Sequence, residues 1–536
     1  MSERATDVVV VGSGGAGMMA ALRSSIGGAQ VTLLEVSDKF GGTSAISGGG
    51  MWLPRTHMAE EAGVKDSREQ VKRYLMHLTE GVTDESVVDR FIDTAPKIID
   101  FIEANTALTF YVDLERPDYK GGPYFPGSLD FGRLVAPNLY ELDRLGELRP
   151  RMRQPDWEAR ARGPWKPGDA PGMEAVTQQE MQQFEESGNK GGWVELSRER
   201  VAKGIVPRGC ALIASMLETV AKRGAHLCTN ARALELTTQD GRVTGVVAEV
   251  DGERRTFTAK QGVVLAAGGF EHNKELWRGL VRVPDVSPLS PPYNRGDALR
   301  MAQKVGARLA LLDQVWWSIN AGGQPGQIVV NRAGRRFINE CLTYNDWGKV
   351  LGYFDPHTYT FPNIPAYVIS NRPLVAADAD PNALGKQVRN TDAGTGATLR
   401  ELADLIGIDA SNLEATVAEF DRHAAKGEDP AFGRGIAPWD RWRKLDKTLP
   451  NPTLAPVGTK GPFYAQRVQA RCFGTKGGPV IDDHARVIDF DGKPIPGLYG
   501  AGNAVASPFG LAYPGGGGTL APAVTFGYLA GESLTK

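Results

Sequence analysis

The stretch "DVVVVGSGGAGMMAALRSSIGGAQVTLLEV", residues 7–36, decides the fold. Four consecutive valines make an apolar strand, and glycines at 12, 14 and 17 follow it in the spacing G-x-G-x-x-G. Behind them "GAGMMAALRSS" has the pattern of a helix and "AQVTLLEV" that of a second strand. Together they make a parallel β-α-β unit. Its glycine turn, Gly12, Gly14, Gly15, Ala16 and Gly17, allows a sharp bend and a close backbone approach to phosphate at the start of a helix. Glu35 stands about 20 residues further on, where an acid accepts hydrogen bonds from a ribose. The unit predicts dinucleotide binding; a plain strand-to-helix turn is the other reading.

At 536 residues the chain exceeds what one hydrophobic core supports, so two domains, or one with a large insertion, are expected. Hydrophobic content of 41%, charged content of 23% and a formal net charge of -2 are those of a soluble globular protein, with no basic excess for nucleic acid. The start has charges and then a strand, without the pattern of a secretory signal, and no apolar run reaches the length of a spanning helix. A cytoplasmic location is the expectation, with peripheral membrane contact left open because it would leave no such mark. Cys210, Cys228, Cys341 and Cys472 are far apart and read as free packing thiols, and the seven histidines form no spaced ligand pair, so no metal is expected.

Residues from about 104 to 200 are rich in proline, glycine and aromatics with little periodicity, a loop-rich insertion. "ARALELTTQDGRVTGVVAEVDGERRTFTAK" then reads as a β-meander and "QGVVLAAGGF" as a separate buried strand, while "GDALRMAQKVGA" and "TLRELADLIG" read as helices. "PGLYGAGN" resumes the style of the opening. The organisation expected is α/β: a Rossmann-like nucleotide-binding domain with a β-meander, residues 1–272 and 462–536, interrupted by a smaller α+β substrate domain, 273–461. Ligands in such sheets bind beyond the carboxyl ends of the strands, so the glycine turns at 12–17, 268–269 and 500–502 should converge there.

"VVVVGSGGAGMMAAL" followed by "EVSDKFGGTSAISGGGMW" resembles the FAD-binding opening of the fumarate reductase and succinate dehydrogenase flavoproteins, and "VVLAAGGF", "GRRFINE" and "GLYGAGN" fit the same superfamily. The resemblance implies FAD, although an NAD-binding protein shares the first motif. It places Gly42, Thr43, Ser44, Gly49, Gly50, Ala267, Gly268, Gly502, Asn503, Thr519 and Leu520 along the cofactor. The "GGTSAISGGG" loop has no histidine where flavin-tethering members carry one, which implies non-covalent FAD.

Dicarboxylate-reducing members need guanidinium groups, since a buried carboxylate must be paired with a cation. Their arginine positions are Tyr344 and Tyr513 here, and a histidine position falls at Phe509. Phenols suit an uncharged ketone, to whose oxygen a hydroxyl donates without burying charge. "YPGGGGTLAPAVTFGY", "FGTKGGPVIDDHARVI" and "ERPDYKGGPYFPGS" resemble the 3-ketosteroid Δ1-dehydrogenases, with Ala521 in place of a glycine and with Pro514 and Gly516 also departing from the motif. This resemblance implies that Tyr513 and the N–H of Gly517 donate to the C3 carbonyl, Tyr344 takes a proton from C2, Tyr119 supports Tyr344 and flavin N5 takes hydride from C1. A steroid or similar hydrophobic ketone and an external, quinone-like electron acceptor are the implied partners. The alternatives are desaturation at C4-C5, enone reduction, dicarboxylate reduction and a flavoprotein without substrate chemistry. Trp316, Trp317 and Phe354 are read as pocket lining or core.

Overall fold

The computed structural model describes residues 3–122, 124–155, 175–177, 180, 183–184, 186–187, 192–319, 322–374, 394–442 and 446–536. Most of the second half of the expected 104–200 insertion therefore lies outside the described residues.

Strand β1 (Glu3–Val11) leads through the glycine turn into helix α1 (Gly15–Ile26) and back along β2 (Val31–Leu34). With β3 (His226–Cys228), β4 (Glu253–Leu265) and β5 (Pro494–Gly500) they form a parallel sheet in the order β3-β2-β1-β4-β5. Val8, Val9 and Val10 have no solvent exposure, as a strand covered on both faces requires. The antiparallel pair Ala231–Gln239 and Arg242–Val250 joins the first half of β4 as a meander. The separate strand expected at "QGVVLAAGGF" is the second half of β4: the chain crosses from the meander into the parallel sheet without a break, and β1 follows it past a bulge between Thr6 and Val8.

The helix Leu520–Ser533 packs along α1. Small residues let the two approach, for a Cβ at Gly527 would stand 2.4 Å from the carbonyl oxygen of Ala16. Pro522 sits in its first turn, where the missing N–H has no helical partner to lose.

Residues 327–331, 366–370, 463–467 and 394–396 form a second, antiparallel sheet. Its strands alternate strictly. Ile328, Val330, Tyr367 and Ile369 point into a core with the helices Leu399–Ile406 and Ala410–Ala424, whereas Val329, Ala366 and Val368 point into another with Trp317 and Trp347. A small sheet joins Met51–Trp52, Phe110–Asp113 and Leu134–Pro137, and Tyr140–Glu141 pairs with Ile205–Val206, so the stretch expected as loops carries three short strands among the described residues. No helix among the described residues is long and apolar enough to cross a membrane. None of the four cysteines is in a disulfide, and Cys210, Cys341 and Cys472 are buried.

One ionic network fixes the loop that follows Phe110–Asp113. Arg133, only 2% exposed, donates from Nε and Nη2 to the two carboxylate oxygens of Asp66 at 2.9 and 2.6 Å, and from Nη1 to Asp118 at 2.7 Å. Trp52 Nε1 donates to the other oxygen of Asp118 at 2.7 Å, and the guanidinium lies over the rings of Trp52 and Tyr74. Two buried carboxylates depend on that one cation, and stranding them is costly. Arg133→Met is expected to lower stability by about 3–5 kcal/mol, read as a lower urea midpoint. A midpoint within error of the parent would show that the network contributes nothing to the fold.

Candidate active site

The cofactor side is built where β1, β4 and β5 end. Gly12 has φ of +102°, and a Cβ there would lie 2.4 Å from Ala266 O and 2.9 Å from Ala267 Cα, so only glycine closes this turn against the end of β4. The "GGTS" loop is tied to the turn by Gly15 N–H donating to Ser44 Oγ at 2.9 Å and Gly41 N–H donating to Ser13 Oγ at 2.8 Å. Gly42 faces Gly14, Gly502 faces Ala16, and Leu520 reaches Gly15. Asn294 stands against Gly268 and donates to Glu271 at 2.6 Å and to Thr43 at 3.4 Å. Asn503 and Thr519 line a cavity at the N-terminus of the last helix. Gly49 is different: its open side abuts the backbone of Arg208 and Gly209, away from the glycine turn.

Glu35, 5% exposed, accepts from the N–H and hydroxyl of Ser13 and from the N–H of Ser37, whose hydroxyl is 2.9 Å away. Ser37 has one hydroxyl proton and lies nearer to Lys39 O, at 2.7 Å, so an acceptor direction of the carboxylate stays open to a ribose. Bare backbone at a helix N-terminus, an acid at the end of β2 and a second helix N-terminus at Thr519 form a donor set that fits a dinucleotide with a pyrophosphate and a ribose.

The three phenols come from three distant segments and meet. Tyr119 and Tyr344 share a hydrogen bond of 2.5 Å between their hydroxyls. The ring of Tyr513 lies 5.5 Å from that of Tyr344 and 5.2 Å from that of Tyr119, centroid to centroid. Tyr344 opens the helix Tyr344–Leu351, and the segment before it is clamped by Glu340, fully buried, which accepts from Arg336, Arg434 and the N–H of Val329. Lys120, next to Tyr119, pairs with Asp346 on the Tyr344 helix at 2.7 Å. Tyr119 N–H and Tyr74 OH both donate to the carbonyl of Pro514, at 2.9 and 2.7 Å, which fixes the chain directly after Tyr513.

Gly517 has φ of +84°, and a Cβ on it would stand 2.3 Å from Gly50 O. A side chain there would collide with the "GGG" loop. Its N–H donates no hydrogen bond among the described residues.

Burial raises the pKa of all three phenols. Tyr344 stands well above the ordinary range, through desolvation and then the fields of Tyr119 and Tyr513; Tyr119 is raised by burial and by Tyr513. Tyr513 is raised by burial, opposed by the hydroxyls of Tyr344 and Thr519 and by the charge of Arg116. The cluster is therefore held neutral, which suits a donor and opposes a base.

Several neighbours escaped the sequence reading. Lys476, with no exposure, donates to Ala512 O at 2.6 Å and lies 4.0 Å from the centroid of the Trp316 ring, which meets Tyr513 edge-on. Burial pushes its pKa well below the usual lysine range. Lys349 donates to the preceding carbonyl, Leu511 O, at 2.5 Å. A charged residue among the glycines of "FGTKGG" was the available signal for Lys476; Lys349 left none. Trp439 packs 4.4 Å from Tyr119 and stacks on Trp442. Phe509 is 1% exposed against Trp52 and Phe91, an apolar filler. Trp317 is core, and Phe354 is neither pocket nor core: 42% exposed, it meets Tyr359 and Phe361 on a surface loop.

The model of a family described as FAD binding domain matches residues 7–520. A 4-oxocyclohexanecarboxylate 2-dehydrogenase of Sinomonas cyclohexanicum is 37% identical over 98% of this chain and 92% of its own. A 3-oxosteroid 1-dehydrogenase of Mycolicibacterium smegmatis is 31% identical over 99% of this chain and 97% of its own. The crystal structure of 3-ketosteroid Δ1-dehydrogenase from Sterolibacterium denitrificans, in complex with 1,4-androstadiene-3,17-dione, superposes with a TM-score of 0.86 at 33% identity, covering 99% of each chain. With a nucleotide cradle and a phenol cluster joined in one such fold, the chain belongs to the FAD-binding-domain family and is an FAD-dependent oxidoreductase of the 3-oxosteroid 1-dehydrogenase type, acting on CH-CH bonds.

Proposed function

We propose that this enzyme removes two hydrogens from adjacent carbons of a cyclic ketone, on the pattern of a C1-C2 double bond formed beside the C3 carbonyl of a 3-ketosteroid. The observation that carries the reading is the buried phenol cluster, with Tyr119 and Tyr344 joined at 2.5 Å and Tyr513 packed against both. The relatives at 31% and 37% identity act on a 3-oxosteroid and on 4-oxocyclohexanecarboxylate. Both are six-membered cyclic ketones, and both classes come within the proposal. Residues 1–272 and 462–536 form the FAD-binding part and 273–461 the catalytic part in this reading. An external quinone-like acceptor reoxidises the enzyme.

Bound FAD supplies the hydride acceptor, held non-covalently by Gly12, Gly14, Gly15, Ala16, Gly17, Glu35, Gly42, Thr43, Ser44, Gly50, Ala267, Gly268, Gly502, Asn503, Thr519 and Leu520, with Gly49 shaping the loop. At the ketone end Tyr513, kept neutral by burial, donates to the carbonyl oxygen beside the unused N–H of Gly517. These donors stabilise the negative charge that develops there when the neighbouring carbon loses its proton. Tyr344 receives that proton, and the Tyr119 hydroxyl donates to the oxygen of Tyr344 while it is ionised. Among the described residues no cationic side chain hydrogen-bonds to the phenols, so a carboxylate in the ketone's place would be buried without a paired cation.

Anaerobic addition of a 5α-3-ketosteroid or 4-oxocyclohexanecarboxylate should bleach the flavin without added reductant. A yellow protein that keeps its colour with a panel of both classes would end the proposal. Tyr344→Phe should abolish turnover with FAD content unchanged. Tyr513→Phe should lower kcat by about 100- to 1000-fold, the effect of removing one oxyanion donor.

The pH dependence follows from the shifts. Because the pKa of Tyr344 is raised, its basic form is a minor species through neutral and mildly alkaline pH, and it grows tenfold per unit. The logarithm of kcat/KM should therefore climb with a slope of about one, without levelling below pH 9. A decline over that range, with the protein still folded, would remove Tyr344 from the role of base.

A further inference from the structure

Arg116 is a guanidinium without a settled partner at the rim of the phenol cluster. It sits three residues before Tyr119, and its Cδ and Nη1 lie 3.3 and 3.5 Å from where a Cβ on Gly516 would stand. Its face rests on Trp442, 4.8 Å from the ring centroid, and Trp442 stacks on Trp439, which packs against Tyr119. The aromatic wall is therefore continuous from the guanidinium to the phenols. Its charge favours ionisation of both Tyr119 and Tyr513. Among the described residues the guanidinium makes no hydrogen bond: Nε is sealed from solvent without an acceptor, and the one ion pair, to Asp113, is long at 3.7 Å. Asp113 spends its other oxygen on the N–H groups of Glu115 and Arg116. The side chain is 23% exposed, so the remaining N–H groups are within reach of a ligand.

A partly buried arginine that stacks through its face keeps its edge for a planar anion, which it binds through two parallel hydrogen bonds. The positions that would hold a carboxylate at the reacting end are phenols, so the anion belongs elsewhere on the substrate. We propose that Arg116 anchors a carboxylate carried on the cyclic ketone away from the reacting carbons, making the substrate a keto acid and Arg116 the residue that selects it. This rests on the dehydrogenation proposed above and narrows its substrate class. The absent side chain at Gly516 makes room for the Arg116 side chain beside the backbone that leads to Gly517.

The test uses the FAD-loaded enzyme with 4-oxocyclohexanecarboxylate, its methyl ester and a 5α-3-ketosteroid, read by anaerobic bleaching and by steady-state rates. The parent should prefer the acid to the ester by about tenfold or more in kcat/KM. Arg116→Gln should erase that preference, mainly through a higher KM for the acid, and Arg116→Lys should restore part of it. FAD content equal to the parent's shows that each variant is folded. The inference is overturned if R116Q lowers kcat alike for acid and ester, for the arginine then acts only through its field on the phenols. Bleaching by the ester or the steroid but not by the acid overturns it too, while leaving the dehydrogenation intact. Bleaching by none of the three removes both.

Discussion

The carbonyl of Pro514 accepts from Tyr74 OH and from Tyr119 N–H, and the site depends on that double anchorage. The chain around it is rich in glycine and has little of its own to hold a shape. Fixing this one oxygen sets Tyr513 on one side and Gly517 on the other, and it ties both to the loop that carries Tyr119. That loop is immobilised in turn by Asp118, which Arg133 and Trp52 hold from opposite oxygens. The glycines are thus tolerable because their neighbours are rigid.

Three phenols in contact present an electrostatic conflict. Desolvation favours their neutral forms, which a hydrogen-bond donor needs, while a base must lose a proton in the same surroundings. The short contact between Tyr119 and Tyr344 addresses this locally, since a phenolate at Tyr344 keeps a donor whichever hydroxyl held the proton before. Lys349 and Lys476 contribute differently. They bind the carbonyls of Leu511 and Ala512 and brace the turn leading into Tyr513.

The nucleotide half was legible in the sequence because its determinants are local: the valines, the glycine spacing and Glu35 lie within 30 residues, and adjacent elements pair. The phenols are separated by hundreds of residues, and only resemblance to a family nominated them together. Nothing in residues 115–119 says that Arg116 faces Gly516, since that proximity is created by folding the last segment against the insertion. The same limit explains Arg133, whose partners Asp66 and Asp118 come from separate loops, and Glu35, to which the serines at 13 and 37 donate. Periodicity also failed to show that the meander and the next apolar run are one strand, because a period of two carries no mark where a strand changes partner.

The strand Gln327–Asn331 is a wall between two cores, sending Ile328 and Val330 one way and Val329 the other. Inserting one residue after Ile328 would exchange the faces of Val329, Val330 and Asn331, turning polar Asn331 toward the interior that Ile328 lines. Lengthening or shortening is therefore closed to this strand. Evolutionary drift in what the enzyme accepts must run instead through point changes and through loops that border only one interior.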